Sequence, residues 1–388
     1  MKMKRHQWIV LVLLSVLVGC AGEPRVIYYP ADAFRAAVKD KLAGIPEMSI
    51  PIGAESAADA ALIIDRKFLL NPPYELTPEI IDSIKPCVTV SGDEWVRYKQ
   101  LRNCLVGGPE AYKYSATSTL DAETCYRLRE GNCFSLTNLF VGASRLARLS
   151  AYYMLVEDII GNQSEGQTVI HTNHIIAAVP VAHDRILVDF IPNPRKYRFT
   201  TILSDIEAAG LFYNNLAARL LLEEREDEAE LLFRVAYALY PDSYQVNNNV
   251  GVLRLRQGRL ASAREHFAQA LSLARFPDLV LGNVLTTYER TGNLQAYELV
   301  RAELENARRR NPFVYISLAG RAYNRGDYTD ALEFLDVARK INRKIPDIYG
   351  MQVRIFELLG DETQRKKAFQ NLVKYNSISR KQVLEAIP

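Results

Sequence analysis

Three side chains near the middle of the chain have the types needed for nucleophilic chemistry at a carbonyl: Cys133, His174 and Asp189. Cys133 stands in Glu130-Gly131-Asn132-Cys133-Phe134-Ser135-Leu136, where a glycine breaks the chain and an amphipathic helix starts, with Leu136, Leu139, Phe140, Ala143, Leu146 and Ala147 on one face. A thiol at a helix start meets unpaired amides and the positive end of the macrodipole, which favour the thiolate, the form that attacks carbonyl carbon. Such a nucleophile needs an imidazole to take its proton and a carboxylate to orient the imidazole. His174 opens the apolar run His174-Ile175-Ile176-Ala177-Ala178-Val179, and Asp189 lies in Arg185-Ile186-Leu187-Val188-Asp189-Phe190. His171 is the alternative base; strand alternation sends it and His174 to opposite faces, so only one can meet Cys133. Taken singly, each residue has an inert role: a buried small thiol, a satisfied core imidazole, a turn-capping carboxylate. Zinc is a poor fit, since the two histidines have i, i+3 spacing on a strand and no Cys-X-X-Cys pair exists. No metal or other cofactor is implied.

The elements that must position these groups can be read from periodicity. Ala151–Val156, His174–Val179 and Arg185–Phe190 are strands by length and by their branched and aromatic content. His183 falls in the turn expected before the third strand and reads as solvated. From Gly107 to about Thr200 the pattern is therefore an α+β core. Ahead of it, Ala31 to Leu105 reads as a helical lead-in, with helical patterns over Phe34–Val38, Ala57–Leu70 and Glu94–Leu105, broken at Asn71-Pro72-Pro73 and Lys85-Pro86. Cys125 is expected to pack on the helix before Cys133, and Cys87 and Cys104 could bridge in an oxidising compartment.

The segment Thr119-Leu120-Asp121-Ala122-Glu123-Thr124, then Leu128 to Ser135, then Leu149-Ser150-Ala151-Tyr152-Tyr153, resembles the bacterial transglutaminase-like superfamily, over roughly Tyr114 to Phe190. The resemblance implies a papain-like triad of Cys133, His174 and Asp189, and the fifteen residues from His174 to Asp189 resemble the family's spacing. It further implies that Cys133 attacks an amide or ester carbonyl, that His174 moves the proton, and that a thioester is resolved by water or an amine. The Cys133 amide would supply one oxyanion donor. The usual second donor, an upstream side chain, has no position matched in the sequence.

After Leu203 the chain reads as helical to its end. Gly258, Gly292, Gly326 and Gly360 follow one another at intervals of 34 residues, where a turn between two helices would need glycine. In phase lie Ala229, Ala263 and Ala331, Phe233 and Phe267, Ala236, Ala270 and Ala338, and Pro312 and Pro346; Tyr297 and Arg365 depart from the small-residue pattern. The set is similar to the tetratricopeptide repeat, whose stacked helix pairs form a curved solenoid that binds a protein or peptide.

At the other end, Lys2, Lys4 and Arg5 precede an apolar run from Trp8 to Val18, too short to span a bilayer, which needs roughly twenty apolar residues. Leu17-Val18-Gly19-Cys20 resembles the lipobox of bacterial lipoproteins, which implies cleavage before Cys20, lipid on its thiol, and, with Ala21 following, an outer-membrane location. A composition of 48% hydrophobic and 24% charged residues is that of globular chains, and a net charge of +3 gives no electrostatic case for nucleic acid. The expected organisation is a signal peptide (1–19), a lipidated linker (20–32), an α+β transglutaminase-like domain (33–205) and an all-α repeat solenoid (206–388). The expected function is envelope acyl transfer by cysteine on a protein or peptide. The alternative is an inactive assembly scaffold working through its repeats.

Overall fold

The computed structural model describes residues 28–54, 57–88, 92–106, 112–165, 168–181, 184–190 and 199–375. The expected leader, Cys20, His183 and the segment from Ile191 to Pro194 lie outside the described residues, and His171 falls where the backbone path alone is described.

Helix α1 (Ala31–Lys41) buries Phe34 and Val38, one turn apart. An antiparallel hairpin follows, β1 (Ser49–Ala54) with β2 (Ala57–Asp65), then the short α2 (Arg66–Leu70). The helix expected over Ala57–Leu70 is thus a strand for most of its length. Alanine favours helix locally, but Leu62 and Ile64 point inward and Ile63 outward, and both inward residues pair with buried Ile50 and Ile52 of β1. A period of two with a partner strand outweighs propensity. Helices α3 (Pro78–Ile84) and α4 (Glu94–Val106) come next, and a Cys87–Cys104 disulfide, with Cα atoms 5.8 Å apart, ties the turn after α3 to α4.

The strand β3 (Lys113–Tyr114), helix α5 (Ala122–Leu128) and strand β4 (Glu130–Gly131) lead into α6 (Cys133–Leu146). Then come β5 (Tyr152–Glu165), β6 (Thr168–Val181), β7 (Asp184–Val188) and β8 (Thr200–Leu203), in an antiparallel sheet of order β7-β6-β5-β8. Both faces of the central strands are buried: Tyr153, Leu155, Ile175, Ala177 and Val179 join the helical core, while Tyr152, Met154, Val156, Ile176 and Ala178 form a separate cluster with Tyr28 and Ile202.

The rest of the described chain is five antiparallel helical hairpins: α7 (Asp205–Leu222) with α8 (Glu226–Leu239), α9 (Tyr244–Arg256) with α10 (Leu260–Leu273), α11 (Asp278–Arg290) with α12 (Leu294–Arg310), α13 (Pro312–Arg325) with α14 (Tyr328–Ile341), and α15 (Pro346–Leu358) with α16 (Glu362–Tyr375). This is a tetratricopeptide-like solenoid. The four repeat glycines all close a hairpin in the left-handed region, at φ of +72°, +64°, +85° and +71°, which glycine enters without a Cβ clash. The in-phase alanines and phenylalanines are buried between helices. Gly251 is packed so closely that a Cβ there would lie 2.6 Å from the Phe267 ring.

The solenoid is joined to the α+β part by one continuous core running from Phe34 to Val284, whereas α13–α15 have a core of their own. Strand β6 packs on α7, α9 and α11, the first helices of three successive hairpins. Along those helices runs a ladder of buried amides: Asn249 donates to Asn214 at 3.1 Å, Asn248 to Asn249 at 3.1 Å, and Asn283 to Asn248 at 2.8 Å. Among the described residues, no helix is long and apolar enough to cross a membrane.

Candidate active site

Cys133 is the first residue of α6, and the loop before it is fixed by hydrogen bonds from every side. Asn132 caps the helix, its Oδ1 accepting from the amides of Phe134 at 3.0 Å and Ser135 at 3.1 Å. The Asn132 side chain in turn donates to Thr119 Oγ1 at 2.7 Å, and its amide to the Ser118 carbonyl at 2.9 Å. Ser135 donates from its hydroxyl to the same Ser118 carbonyl at 2.8 Å and accepts from the Leu120 amide at 2.7 Å. Buried Glu130 accepts from the Ser118 hydroxyl at 2.7 Å and lies 3.6 Å from Lys113 Nζ. Only glycine fits at 131, where a Cβ would lie 2.5 Å from that of Ser135 and 3.2 Å from Cys125 Sγ. The cap leaves the Cys133 amide out of its own bonds.

The structure brings His174 and Asp189 to that thiol. His174 Nε2 lies 3.2 Å from Asp189 Oδ2, with side chains 5% and 4% exposed, and the imidazole is also hydrogen-bonded to Cys133. Asp189 lies against Nε2, and Nδ1 is the ring's second site for a proton. His174 sits on β6 opposite Val156 of β5, where the register then shifts between Val156 and Gly161; a bulge beside a site is a common device for aiming a side chain. Asp189 follows Val188, whose partner on β6 is Ala177. Helix and sheet are locked together by Thr137, which donates to the Ile175 carbonyl at 3.2 Å, and by Tyr153, which donates to Asn138 Oδ1 at 2.9 Å.

Electrostatics favour a charged imidazole. Burial disfavours the imidazolium, but the hydrogen bonds to Asp189 and Cys133 and the charges on both outweigh it, raising His174 to about 9. Cys125, eight residues before Cys133, is the contrasting thiol: burial and the nearby Asp121 charge push it well above its usual range, as befits a packed and unreactive group.

Sequence reasoning missed Tyr114. Strand β3 pairs parallel with β4, Tyr114 opposite Gly131, with Lys113 donating to the Arg129 carbonyl at 2.8 Å and Ser115 to the Gly131 carbonyl at 3.1 Å. The pairing sets the phenol beside the Cys133 amide, to which it is hydrogen-bonded, and near the charges of Cys133 and Asp189. A two-residue strand leaves no periodicity, so the sequence carried no signal for this contact. The asparagine ladder was missed as well, although the runs Asn214-Asn215 and Asn247-Asn248-Asn249 inside helical patterns were visible in the sequence.

Behind the site, α6 is fastened to the first repeat helix. Arg145 donates to Asp205 Oδ1 at 2.6 Å, Tyr29 donates its amide to Asp205 Oδ2 at 2.8 Å, and the Phe134 and Phe212 rings meet edge to face at 5.8 Å. The Ser204–Glu207 capping box starts α7 at that point. Phe199, just before β8, meets Phe276 and Phe313 edge to face at 5.5 Å and 5.9 Å.

No protein-family model matches the chain, and no curated protein does. Among solved structures the chain is similar to PilF of Pseudomonas aeruginosa (17% identity, TM-score 0.25, 47% of this chain and 86% of that one). It is also similar to PilW, a type IV pilus biogenesis factor (21% identity, TM-score 0.25, 47% and 88%), and to the tetratricopeptide protein YrrB (11% identity, TM-score 0.24, 46% and 91%). At such TM-scores the overlap says nothing of what this chain binds.

Proposed function

We propose that the chain is a cysteine acyl-transfer enzyme with a transglutaminase-like site, acting on a protein or peptide that its helical repeats bind. One observation supports this reading: a thiol at a helix N-terminus hydrogen-bonded to an imidazole whose Nε2 lies 3.2 Å from a buried carboxylate. In the proposed reaction the imidazole of His174 already holds the proton of the Cys133–His174 pair, and Cys133 Sγ attacks the carbonyl carbon, whose π electrons move to oxygen. Collapse of that adduct expels the amine or alcohol, which takes the proton from the imidazolium, and leaves a thioester on Cys133. Water or an amine, deprotonated by His174, then releases the acyl group. Asp189 holds the ring and offsets its charge. The solenoid is a class of surface suited to protein or peptide segments.

Alkylation tests the assignment. Iodoacetamide is expected to modify Cys133 much faster than Cys125 in the folded protein, and His174→Ala or Asp189→Asn to remove that advantage. Equal, slow labelling of the two thiols would exclude catalysis. It would leave the second reading, which the near-closure of the site favours, Cys133 being 6% exposed: a protein-binding scaffold that keeps the triad as packing.

The chain is further proposed to be anchored through lipid on Cys20 in a bacterial envelope. The lipobox-like sequence supports it, and the Cys87–Cys104 disulfide suits an oxidising compartment. Palmitate incorporation that survives Cys20→Ala would rule it out.

A further inference from the structure

An oxyanion formed by attack of Cys133 needs more than one donor, because a single amide offsets only part of the charge that develops on the carbonyl oxygen. The Cys133 amide lies outside the helix cap, which Asn132 makes through the next two amides. The acceptor position in front of that amide is taken by the Tyr114 phenol. Tyr114 is held there by backbone, not by chance side-chain contact: it is paired with Gly131, two residues before the nucleophile, and the bonds from Lys113 and Ser115 on either side fix its Cα. The residue is 37% exposed, so it borders the solvent from which an acyl group must come.

We infer that Tyr114 is the second oxyanion donor: the substrate carbonyl oxygen displaces the phenol from the Cys133 amide, and the phenol turns its O–H onto that same oxygen. This rests on Cys133 being the nucleophile proposed above. The exchange conserves hydrogen bonds, because the amide trades one acceptor for another and the phenol, an acceptor in the free enzyme, becomes a donor as the oxygen charges. No proton leaves the phenol. Burial first, then the nearby Cys133 and Asp189 charges, raise Tyr114 to about 12, which keeps it a donor at neutral pH.

Two reagents separate this role from others. p-Nitrophenyl acetate acylates a thiol through a tetrahedral oxyanion and expels p-nitrophenolate; iodoacetamide alkylates it by direct displacement of iodide, with no oxyanion. In the full chain, Tyr114→Phe is expected to slow Cys133-dependent release of p-nitrophenolate by about 100-fold while changing the alkylation rate less than about two-fold, which also shows that the site remains folded. Unchanged acylation overturns the inference. So does a rise in both rates, which would make the phenol a plug, or a fall in both, which would make it a structural brace. If Cys133→Ala releases p-nitrophenolate as fast as the unaltered chain, the failure lies instead with the nucleophile, and the inference falls with it.

Discussion

His174 carries the site's dependence on pH. Its unfolded imidazole titrates near 6.5 and its folded one near 9, so folding holds the proton more tightly. The stabilisation this gives is fully present below about 6.5 and is lost as pH rises through about 9. The urea midpoint of the unaltered protein is therefore expected to fall between pH 6.5 and 9 more steeply than that of Asp189→Asn, which lacks the carboxylate that raises the imidazole. Parallel profiles would show that the pair is not coupled. At this scale the sequence was informative where chemistry depends on residue type: Cys133 at a helix start, and His174 and Asp189 on successive apolar runs, are read from the residues alone, and the fold brings the three together. Tyr114 was invisible because what recruits it is a parallel backbone bridge across sixteen intervening residues, Tyr114 to Gly131.

Elements follow the same division. The repeat hairpins were legible because glycine at a left-handed turn leaves a fixed period, but the first turn of the series has none. Glu224, one period before Gly258, takes the same conformation at φ +62°. A side chain there costs roughly 1–2 kcal/mol, while glycine would forfeit roughly 0.5–1 kcal/mol in chain entropy. Glu224→Gly is thus expected to stabilise the protein by about 0.5–1 kcal/mol, measured by chemical denaturation; a loss of stability would mean that the carboxylate contributes more than the strain costs. The hairpin β1–β2 is the opposite case. Alanine at positions 57, 58, 60 and 61 suits a helix, and what decides for a strand is the buried Ile50 and Ile52 of a partner that short windows do not see.

At the scale of the whole molecule the repeats divide unequally. The helices up to α11 share the core of the α+β part, whereas α13–α15 pack among themselves. A chain ending at Arg310 is expected to keep fast alkylation of Cys133. One ending at Ser204 would strip the cover from β6 and Phe134, and is expected to lose that alkylation along with cooperative unfolding. Equal behaviour of the two would mean that the shared core contributes little. The asparagine ladder runs through the same helices, where a buried amide left without its partner costs about 1–3 kcal/mol.

Strand β6, which bears His174, is also the strand that lies along α7, α9 and α11. An enzyme whose binding module hangs on a flexible linker delivers substrate at an effective concentration set by linker length, falling as the linker grows. Here β8 leads directly into α7, and the span from the repeat helices to the thiol is set by packed side chains. On the function proposed above, a bound segment would reach Cys133 only if its own length and direction matched that fixed span, so the solenoid would act as a ruler that selects which bond of a captured protein is presented.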